Sequence, residues 1–309
     1  MDLKTTYKQL SLVILAGGLG SRYNGQKQID AMGPNQECLM EYSIYDALKA
    51  GISDFVFVIN EKFDQKTETY FKEIIEKNKA TVTFVTQTIQ SYVDQVFLNE
   101  QFNREKPWGT AHALLVAKNY VKNPFVVINA DDFYGKAAYL KAANWVENQN
   151  ISAQQYGIVA YELNKTLSEN GSVSRGICTL ENEKLTNVVE RTNIYKTNEK
   201  IYFQELDAVI EINGNVPVSM NFWILHPSIF AYLEQKFQHF LVQNGTSKKA
   251  EFYLPQAINE LIQDAEVAVV AHVSTDSWFG MTYPADKEKV QHELKIQIQN
   301  KQYPEKLWQ

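Results

Sequence analysis

Short apolar runs alternate with longer amphipathic stretches through the first half of the chain. The predicted strands are Leu10–Leu15, Phe55–Ile59, Thr81–Thr86 and Phe125–Asn129. The predicted helices between them are Glu41–Ala50, Asp64–Lys77 and Thr110–Tyr120. Because strands that are apolar throughout and alternate with helices form parallel sheets covered on both faces, this half is predicted to be such a sheet. Ligands of these sheets bind beyond the carboxyl ends of the strands.

The second half of the chain has a different pattern, in which strands follow one another without long helices between them. The predicted strands are Tyr156–Tyr161, Ile177–Leu180, Lys184–Glu190, Ile201–Glu211 and Val216–Leu225. Helices are predicted again at Ser228–Val242, Tyr253–Ile262 and Ala285–Gln299. The fold class is therefore predicted to be α/β, a Rossmann-like mixed sheet flanked by helices with a smaller β-rich extension.

Composition and charge narrow this picture. The 309 residues are enough for about two domains, but no repeat or Pro-rich linker is found, so one domain over residues 1–309 is predicted. A net charge of −6 argues against a broad nucleic-acid surface. No run reaches the ~18 apolar residues of a membrane span. Cys38 and Cys178 are expected to be reduced thiols in the cytoplasm.

A glycine-rich turn follows the first predicted strand. It reads Ala16-Gly17-Gly18-Leu19-Gly20-Ser21-Arg22, with Lys27 downstream. Glycines let backbone N–H groups approach a phosphate, and the two cations can hold a triphosphate or neutralise a leaving pyrophosphate. The spacing is that of neither a P-loop nor a GxGxxG turn. The alternative is a plain strand–helix turn with two surface cations.

This turn resembles the opening of the sugar-1-phosphate nucleotidylyltransferases, also called nucleotide-sugar pyrophosphorylases. The resemblance implies a nucleotide-diphospho-sugar transferase fold. Residues 10–150 would form the nucleotide-binding half, residues 151–290 the sugar-binding half, and residues 291–309 a C-terminal helix and tail. It also implies catalytic roles for Arg22 and Lys27, and nucleotide binding by Ala16, Gly17, Gly18, Gly20 and Ser21.

Two further elements resemble the parts of the family that approach the nucleobase. Gly109-Thr110-Ala111 stands at a predicted helix start, where the alternative is a simple N-cap. Gln87 ends the third predicted strand, where the family often places a base-reading glutamine, although the gap to Gly109 is unusually long. A glutamine amide can satisfy the donors and acceptors of a pyrimidine edge. A surface glutamine is the alternative.

The stretch from Asn129 to Gly135 resembles the metal-binding element of the family, with Asp131 in the catalytic metal position. A hard Mg²⁺ ion prefers such a carboxylate together with phosphate oxygens and waters. The alternative is a helix cap, a role that suits the neighbouring Asp132 better. The second metal carboxylate of the family falls on Gly280, so that ligand is missing, replaced by water, or supplied by a neighbour such as Asp276.

Two elements of the β-rich half resemble the sugar side of the family site. Glu190 would bind sugar hydroxyls, and Arg191 would bind the sugar phosphate in place of the family's lysine. Asn221 stands near the sugar where the family has glycine. An exposed Glu–Arg pair on a strand is the alternative for the first of these elements.

The resemblance implies a nucleotidylyltransferase that makes a nucleotide-diphosphate sugar and pyrophosphate, with Mg²⁺ as cofactor. The expected partners are a nucleoside triphosphate and a sugar 1-phosphate, with neither nucleic acid nor membrane, and a homo-oligomer is left open. UTP is the first expectation, with dTTP or CTP open. One alternative is a cytidylyltransferase acting on a non-sugar alcohol phosphate or phosphocholine. Another is a non-catalytic regulatory subunit that binds a nucleotide sugar.

Overall fold

The first half of the chain forms a parallel sheet with helices on its faces. The structure is a computed structural model and describes residues 10–18, 30–98, 104–206 and 208–308. Its first strands are β1 (Ser11–Leu15), β2 (Asp54–Ile59), β3 (Thr81–Thr86) and β4 (Phe125–Asn129). The helices between them are α1 (Leu39–Lys49), α2 (Gln65–Lys77) and α3 (Thr110–Val116). The strands are parallel in the order β4-β1-β2-β3, as the apolar runs predicted.

The second half adds a long series of strands and four helices. The strands are β5 (Asp132–Phe133), β6 (Gln155–Glu162), β7 (Val173–Glu181), β8 (Lys184–Thr197), β9 (Lys200–Glu205), β10 (Ala208–Ile212), β11 (Pro217–Leu225), β12 (Ala268–Val273) and β13 (Phe279–Gly280). The helices are α4 (Lys136–Glu147), α5 (Ile229–Asn244), α6 (Leu254–Gln263) and α7 (Asp286–Gln299).

Strand β11 joins the two halves, because it pairs antiparallel with β4 on one side and with β6 on the other. The sheet runs in the order β10-β9-β8-β12-β6-β11-β4-β1-β2-β3, with β7 paired to β11 and β8. The predicted mixed α/β sheet with a β-rich extension is thereby confirmed. Among the described residues, no helix has both the length and the apolar character needed to cross a membrane.

Several elements differ from the sequence prediction, and the short strands β5 and β13 were not predicted at all. The stretch Ile201–Glu211, predicted as one strand, is a hairpin in which Glu205 of β9 pairs with Ala208 of β10. Only two residues, Leu206 and Asp207, separate these partners in the sequence, which is too short an interruption of the pattern to reveal the hairpin. Helix α4 was not predicted, although its buried residues recur at helical spacing.

The C-terminal helix and tail pack against α1 and the β5–β13 pair. The buried residues of this cluster are Met32, Leu39, Tyr42, Phe133, Phe279, Met281, Val290, Leu294, Tyr303 and Leu307. Two polar contacts then fix the segment that follows residue 29. Lys287 Nζ donates to Asp30 Oδ1 at 2.7 Å, and Asn35 Nδ2 donates to the Glu305 carbonyl at 2.5 Å. The tail therefore anchors the chain just beyond the glycine-rich turn.

A buried carboxyl group lies under this tail. Asp46 of α1 is 1% exposed, and its Oδ2 accepts a hydrogen bond from the Tyr303 hydroxyl at 2.6 Å. No described group makes a hydrogen bond to its Oδ1. Burial raises the pKa of Asp46 from its ordinary value of 3.8 to about 7. The folded protein thus holds a proton that the unfolded chain releases near pH 4.

We expect Asp46→Asn to weaken the pH dependence of stability. In the wild type, the stabilisation from this protonated carboxyl is fully present below the unfolded pKa and is lost as the pH rises from about 4 to about 7. The loss is on the order of 4 kcal/mol. Urea unfolding of both proteins at about pH 5 and about pH 8 should show about 3 kcal/mol of this loss in the wild type, because the unfolded carboxyl is already ionised at pH 5. Equal changes in the two proteins would show that Asp46 titrates normally.

Candidate active site

The glycine-rich turn begins at the carboxyl end of β1, held between neighbouring strands. The Ala16 N–H donates to the Val58 carbonyl of β2 at 2.8 Å, and Asn60 Nδ2 donates to the Gly17 carbonyl at 3.2 Å. Gly17 is buried, whereas Gly18 is exposed. The remaining predicted residues of this element, Gly20, Ser21, Arg22 and Lys27, lie outside the described residues, so their roles stay predictions.

Gln87 lies directly beside this turn at the end of β3. It is 6% exposed, and a Cβ atom on Gly17 would lie 3.0 Å from its Oε1, so glycine at position 17 lets the amide approach. Its Nε2 lies 2.9 Å from Nδ1 of His112, a fully buried residue of α3. This hydrogen bond joins β3 to the helix that Gly109 begins. The long gap between Gln87 and Gly109 therefore does not separate the two elements in space.

Gly109 and Thr110 pack against the start of α6. Gly109 is the N-cap of α3 with φ of 102°, and a Cβ atom there would lie 2.7 Å from the Phe252 carbonyl oxygen. That carbonyl accepts the Ala111 N–H at 3.0 Å, and the Thr110 hydroxyl accepts the Leu254 N–H at 2.9 Å. Both residues thus have a structural role, and their contact with a base stays a prediction.

Two adjacent carboxylates follow β4 in different environments. Asp131 is half-buried, whereas Asp132 is buried within β5. Oδ2 of Asp132 accepts hydrogen bonds from Asn129 Nδ2 at 2.8 Å and from the Tyr134 hydroxyl at 3.2 Å. The Asp132 carboxylate is therefore held by its own strand end. The expected helix-cap role is wrong, because Asp132 lies in β5 and the N-cap of α4 is Gly135.

The residues around these carboxylates decide whether a magnesium ion fits. Gly280 of β13 pairs with Asp132, and a Cβ atom on Gly280 would collide with Asp132 Oδ1. Asp276, the suggested second ligand, has its Oδ2 bonded to the Ala137 N–H of α4 at 2.9 Å. The described residues contain no group of three or more His, Cys, Asp or Glu arranged for a metal. This set fits an ion that takes most of its ligands from a triphosphate and water.

Asn221 connects the sugar-side strand to this carboxylate cluster. Its φ of 62° falls in the left-handed region, at a break in the β11–β6 register between Ser219 and Trp223. Asparagine tolerates that conformation better than most residues, which explains how it can replace glycine here. Its Nδ2 donates to Asn129 Oδ1 at 3.3 Å, and its Oδ1 accepts from Trp223 Nε1 at 3.3 Å. The predicted sugar and metal elements therefore touch each other.

Comparison with known proteins matches the nucleotidyl transferase family over residues 11–278. That span runs from β1 almost to β13 and includes the carboxylates, Gln87, Gly109 and Asn221. The chain belongs to the nucleotidyl transferase family. The family resemblance inferred from the motifs is thereby confirmed.

Two relatives of this nucleotidyl transferase are similar over shorter stretches. A bifunctional IPC transferase and DIPP synthase of Aquifex aeolicus is 27% identical over 154 residues, which is 47% of this chain and 29% of that protein. The bifunctional protein GlmU of Methanococcus maripaludis is 37% identical over 73 residues, 24% of this chain and 17% of that protein. The matches thus span less than a third of either relative.

Solved structures share the fold along nearly the whole chain. An inositol-1-phosphate CTP transferase from T. maritima is 13% identical with a TM-score of 0.59, covering 93% of this chain and 96% of that chain. A putative glucose-1-phosphate thymidylyltransferase from Bacillus anthracis is 14% identical with a TM-score of 0.62, covering 93% and 95%. A UDP-glucose pyrophosphorylase is 19% identical with a TM-score of 0.60, covering 94% and 99%.

The predicted sugar-phosphate residues of this nucleotidyl transferase point in different directions. Glu190 and Arg191 are consecutive on β8, so their side chains leave the strand on opposite faces. The Glu190 side chain is directed at β7, since a Cβ atom added to Gly176 would lie 3.6 Å from Glu190 Oε2. Arg191 forms an ion pair with Glu205, and its guanidinium lies 4.9 Å from the centre of the Phe203 ring. A phosphate at Arg191 would share the guanidinium with Glu205, which engages one of its nitrogen atoms.

Sequence reasoning missed Arg175, a buried cation of β7. It is 8% exposed, and its guanidinium donates to the Thr166 hydroxyl at 3.1 Å and to the Ser174 carbonyl at 2.8 Å. The same group lies 4.9 Å from the centre of the Trp278 ring. Burial lowers the pKa of Arg175 to about 10, so it remains charged at neutral pH.

The charge of Arg175 acts on both carboxylate elements of the site. The carboxylates of Asp132 and Glu190 raise the pKa of Arg175 and so oppose the effect of burial. Burial raises the pKa of Glu190, and the charge of Arg175 opposes that rise. The sequence signal for this region was Gly176, the residue after Arg175, because a glycine inside a strand often marks the close approach of another part of the chain. A Cβ atom on Gly176 would lie 3.1 Å from Val188 Cγ2.

Proposed function

We propose that the chain transfers a nucleotidyl group from a nucleoside triphosphate to a sugar 1-phosphate. A phosphate oxygen of the sugar 1-phosphate attacks the α-phosphorus, and the bond to the bridging oxygen of the β-phosphate breaks. The products are a nucleotide-diphosphate sugar and pyrophosphate. The attacking phosphate is already ionised at neutral pH, so no protein base is required, and catalysis consists of positioning and charge stabilisation.

The observation that carries this proposal is the contact between Gln87 and the glycine-rich turn. A Cβ atom added to Gly17 would lie 3.0 Å from Gln87 Oε1. The carboxylates of Asp131 and Asp132 follow β4, which is the neighbour of β1 in the sheet. Because β1, β3 and β4 are parallel, their carboxyl ends share one edge of the sheet. A base at Gln87, phosphates at the turn and the reacting phosphorus near Asp131 would then follow one another along that edge.

Each group would contribute through binding or charge. The backbone of Gly17 and Gly18 would bind phosphate oxygens, and Arg22 and Lys27 would neutralise the developing charge. Glu190 would accept hydrogen bonds from sugar hydroxyls, and Asn221 would border the sugar. Arg191 would hold the incoming phosphate with the guanidinium donors that Glu205 does not engage. The buried charge of Arg175 would oppose the rise that burial causes in the pKa of Glu190.

Mg²⁺ is the proposed cofactor. Asp131 would hold it, with Asp132 as the neighbouring carboxylate. When bound, the ion would supply charge neutralisation for the phosphates.

A second candidate is cytidylyl transfer to a non-sugar alcohol phosphate. It is supported by the shared fold of the T. maritima inositol-1-phosphate CTP transferase and by the Aquifex relative with IPC transferase activity in its name. Asn221 adds a side chain at the sugar side, where the family resemblance expects glycine. An acceptor of different shape would suit that change.

Pyrophosphate release tests the proposal with each of UTP, dTTP, CTP, ATP and GTP. Each triphosphate is paired with glucose 1-phosphate, N-acetylglucosamine 1-phosphate, inositol 1-phosphate or phosphocholine in the presence of Mg²⁺. We expect turnover with a pyrimidine triphosphate and a sugar 1-phosphate, and its loss on adding EDTA. Turnover only with CTP and an alcohol phosphate would establish the second candidate. A melting point raised by UDP-glucose without any turnover would indicate a regulatory subunit.

A further inference from the structure

His112 is held between two fixed hydrogen-bond partners. Its Nε2 lies 2.7 Å from the Ser91 carbonyl oxygen, and its Nδ1 lies 2.9 Å from Gln87 Nε2. A carbonyl oxygen can only accept, so Nε2 must carry the hydrogen. Burial lowers the pKa of His112 to about 4, so the ring is neutral at physiological pH. In a neutral ring Nδ1 is then a bare acceptor, and the Gln87 amide nitrogen must be the donor.

This assignment fixes which end of the Gln87 amide faces the glycine-rich turn. With Nε2 directed at His112, Oε1 is the atom beside Gly17. Within the part of the chain that the structure describes, no group donates a hydrogen bond to Oε1. A rotated amide would bring its oxygen against the bare Nδ1, and two acceptors repel each other. The Gln87 Oε1 oxygen therefore faces the glycine-rich turn in one defined orientation.

The segment after Gln87 keeps the histidine in place. Trp108 Nε1 donates to the Ile89 carbonyl at 2.8 Å, and the Thr88 and Ser91 hydroxyls lie 2.9 Å apart. The ring of His112 packs on Phe237 with 4.6 Å between ring centres. The unusually long connection between Gln87 and Gly109 thus supplies the carbonyl that sets the tautomer.

We infer that His112 is a positioning residue that orients Gln87 Oε1 as a hydrogen-bond acceptor for the ring N3–H of uracil or thymine. Cytosine carries an acceptor at N3, which would face the same oxygen unfavourably. The second hydrogen of the Gln87 amide stays available for a base carbonyl. The inference rests on the proposed function, and it deepens it by naming the class of base.

The test compares UTP with CTP in three variants. His112→Phe removes both hydrogen bonds, and His112→Asn returns an acceptor near the Nδ1 position. Phe237→Leu is the matched control, because it loosens packing on the histidine without touching Gln87. The measurements are kcat/KM for UTP and for CTP, the KM for the sugar 1-phosphate, equilibrium binding of both nucleotides, and the melting point.

We expect His112→Phe to reduce the UTP-to-CTP ratio about tenfold or more, mainly through the KM for UTP. The KM for the sugar 1-phosphate should not change, and His112→Asn should recover part of the ratio. Phe237→Leu should lower the melting point and keep the ratio. An unchanged ratio in folded His112→Phe, or a wild type that prefers CTP, would overturn the inference.

The tautomer can be measured directly in the wild type, which covers the case that His112→Phe does not fold. ¹⁵N NMR, with His112→Asn for assignment, should show a hydrogen on Nε2 and none on Nδ1. The opposite tautomer would overturn the inference. A wild type without turnover refutes the proposed function alone, since nucleotide binding and the tautomer still test the role of His112.

Discussion

Asp131→Asn is expected to slow pyrophosphate release by about a hundredfold or more while the protein stays folded. The substitution keeps the size of the side chain and removes its charge at the end of β4. Under the proposed function, that charge is where the magnesium–triphosphate complex would contact the chain. The melting point should fall less than it does for Asp132→Asn, because Asp131 is half-buried whereas Asp132 is buried. Steady-state kinetics and a thermal melt of the same preparation measure both quantities.

Asp132→Asn provides the comparison, since the two carboxylates are neighbours in the chain but differ in surroundings. The Asp132 carboxylate accepts hydrogen bonds from Asn129 and Tyr134, and an asparagine amide can replace only part of this pattern. We expect a loss of about 1–3 kcal/mol in the free energy of unfolding. If Asp132→Asn instead abolished turnover without loss of stability, and Asp131→Asn remained active, the metal position would belong to Asp132, opposite Gly280.

Gly109→Ala is expected to lower the free energy of unfolding by about 3 kcal/mol or more. The residue has φ of 102°, where a side chain is strained, and the new Cβ atom would lie 2.7 Å from the Phe252 carbonyl oxygen. Backbone at this point cannot move away cheaply, because the same carbonyl accepts the Ala111 N–H. Nucleotide binding should weaken as well, since the start of α3 would be displaced.

Gly51→Ala is the matched control for this prediction. Gly51 also has a positive φ, of 86°, but a Cβ atom there meets no described atom within 4 Å. Its substitution should therefore cost only the backbone strain, about 1 kcal/mol. Urea unfolding of the two variants separates strain from collision. Equal losses in the free energy of unfolding of both variants would mean that Phe252 moves away from the new Cβ atom without destabilising the protein.

The sequence allowed much of the fold to be predicted. Strands buried on both faces must be apolar at nearly every position, which made β1, β2 and β4 visible without any knowledge of their partners. The edge strand β3 alternates threonine with apolar residues and is only partly buried. The same reasoning located Gly17, Gln87 and Asp131 at strand ends, where ligands of such sheets bind. The hairpin of β9 and β10 was not predicted, because only two residues separate the paired Glu205 and Ala208 in the sequence.

The choice of contacts within the site was decided only by the tertiary structure. Periodicity records whether a residue is buried, not which distant residue it meets. Arg191 forms an ion pair with Glu205 of β9, and Arg175 of β7 carries a buried charge, and neither arrangement is visible in the sequence. Phosphate binding by Arg191 stays a prediction.

The orientation of the Gln87 amide was likewise decided only by the tertiary structure. It depends on His112, 25 residues away in sequence, and on Ser91, 21 residues before that histidine. The sequence thus determined the sheet, the glycine-rich turn and the positions of the candidate groups. Which atoms face each other follows from strand register and loop packing, and these bring together residues whose separation no local pattern encodes.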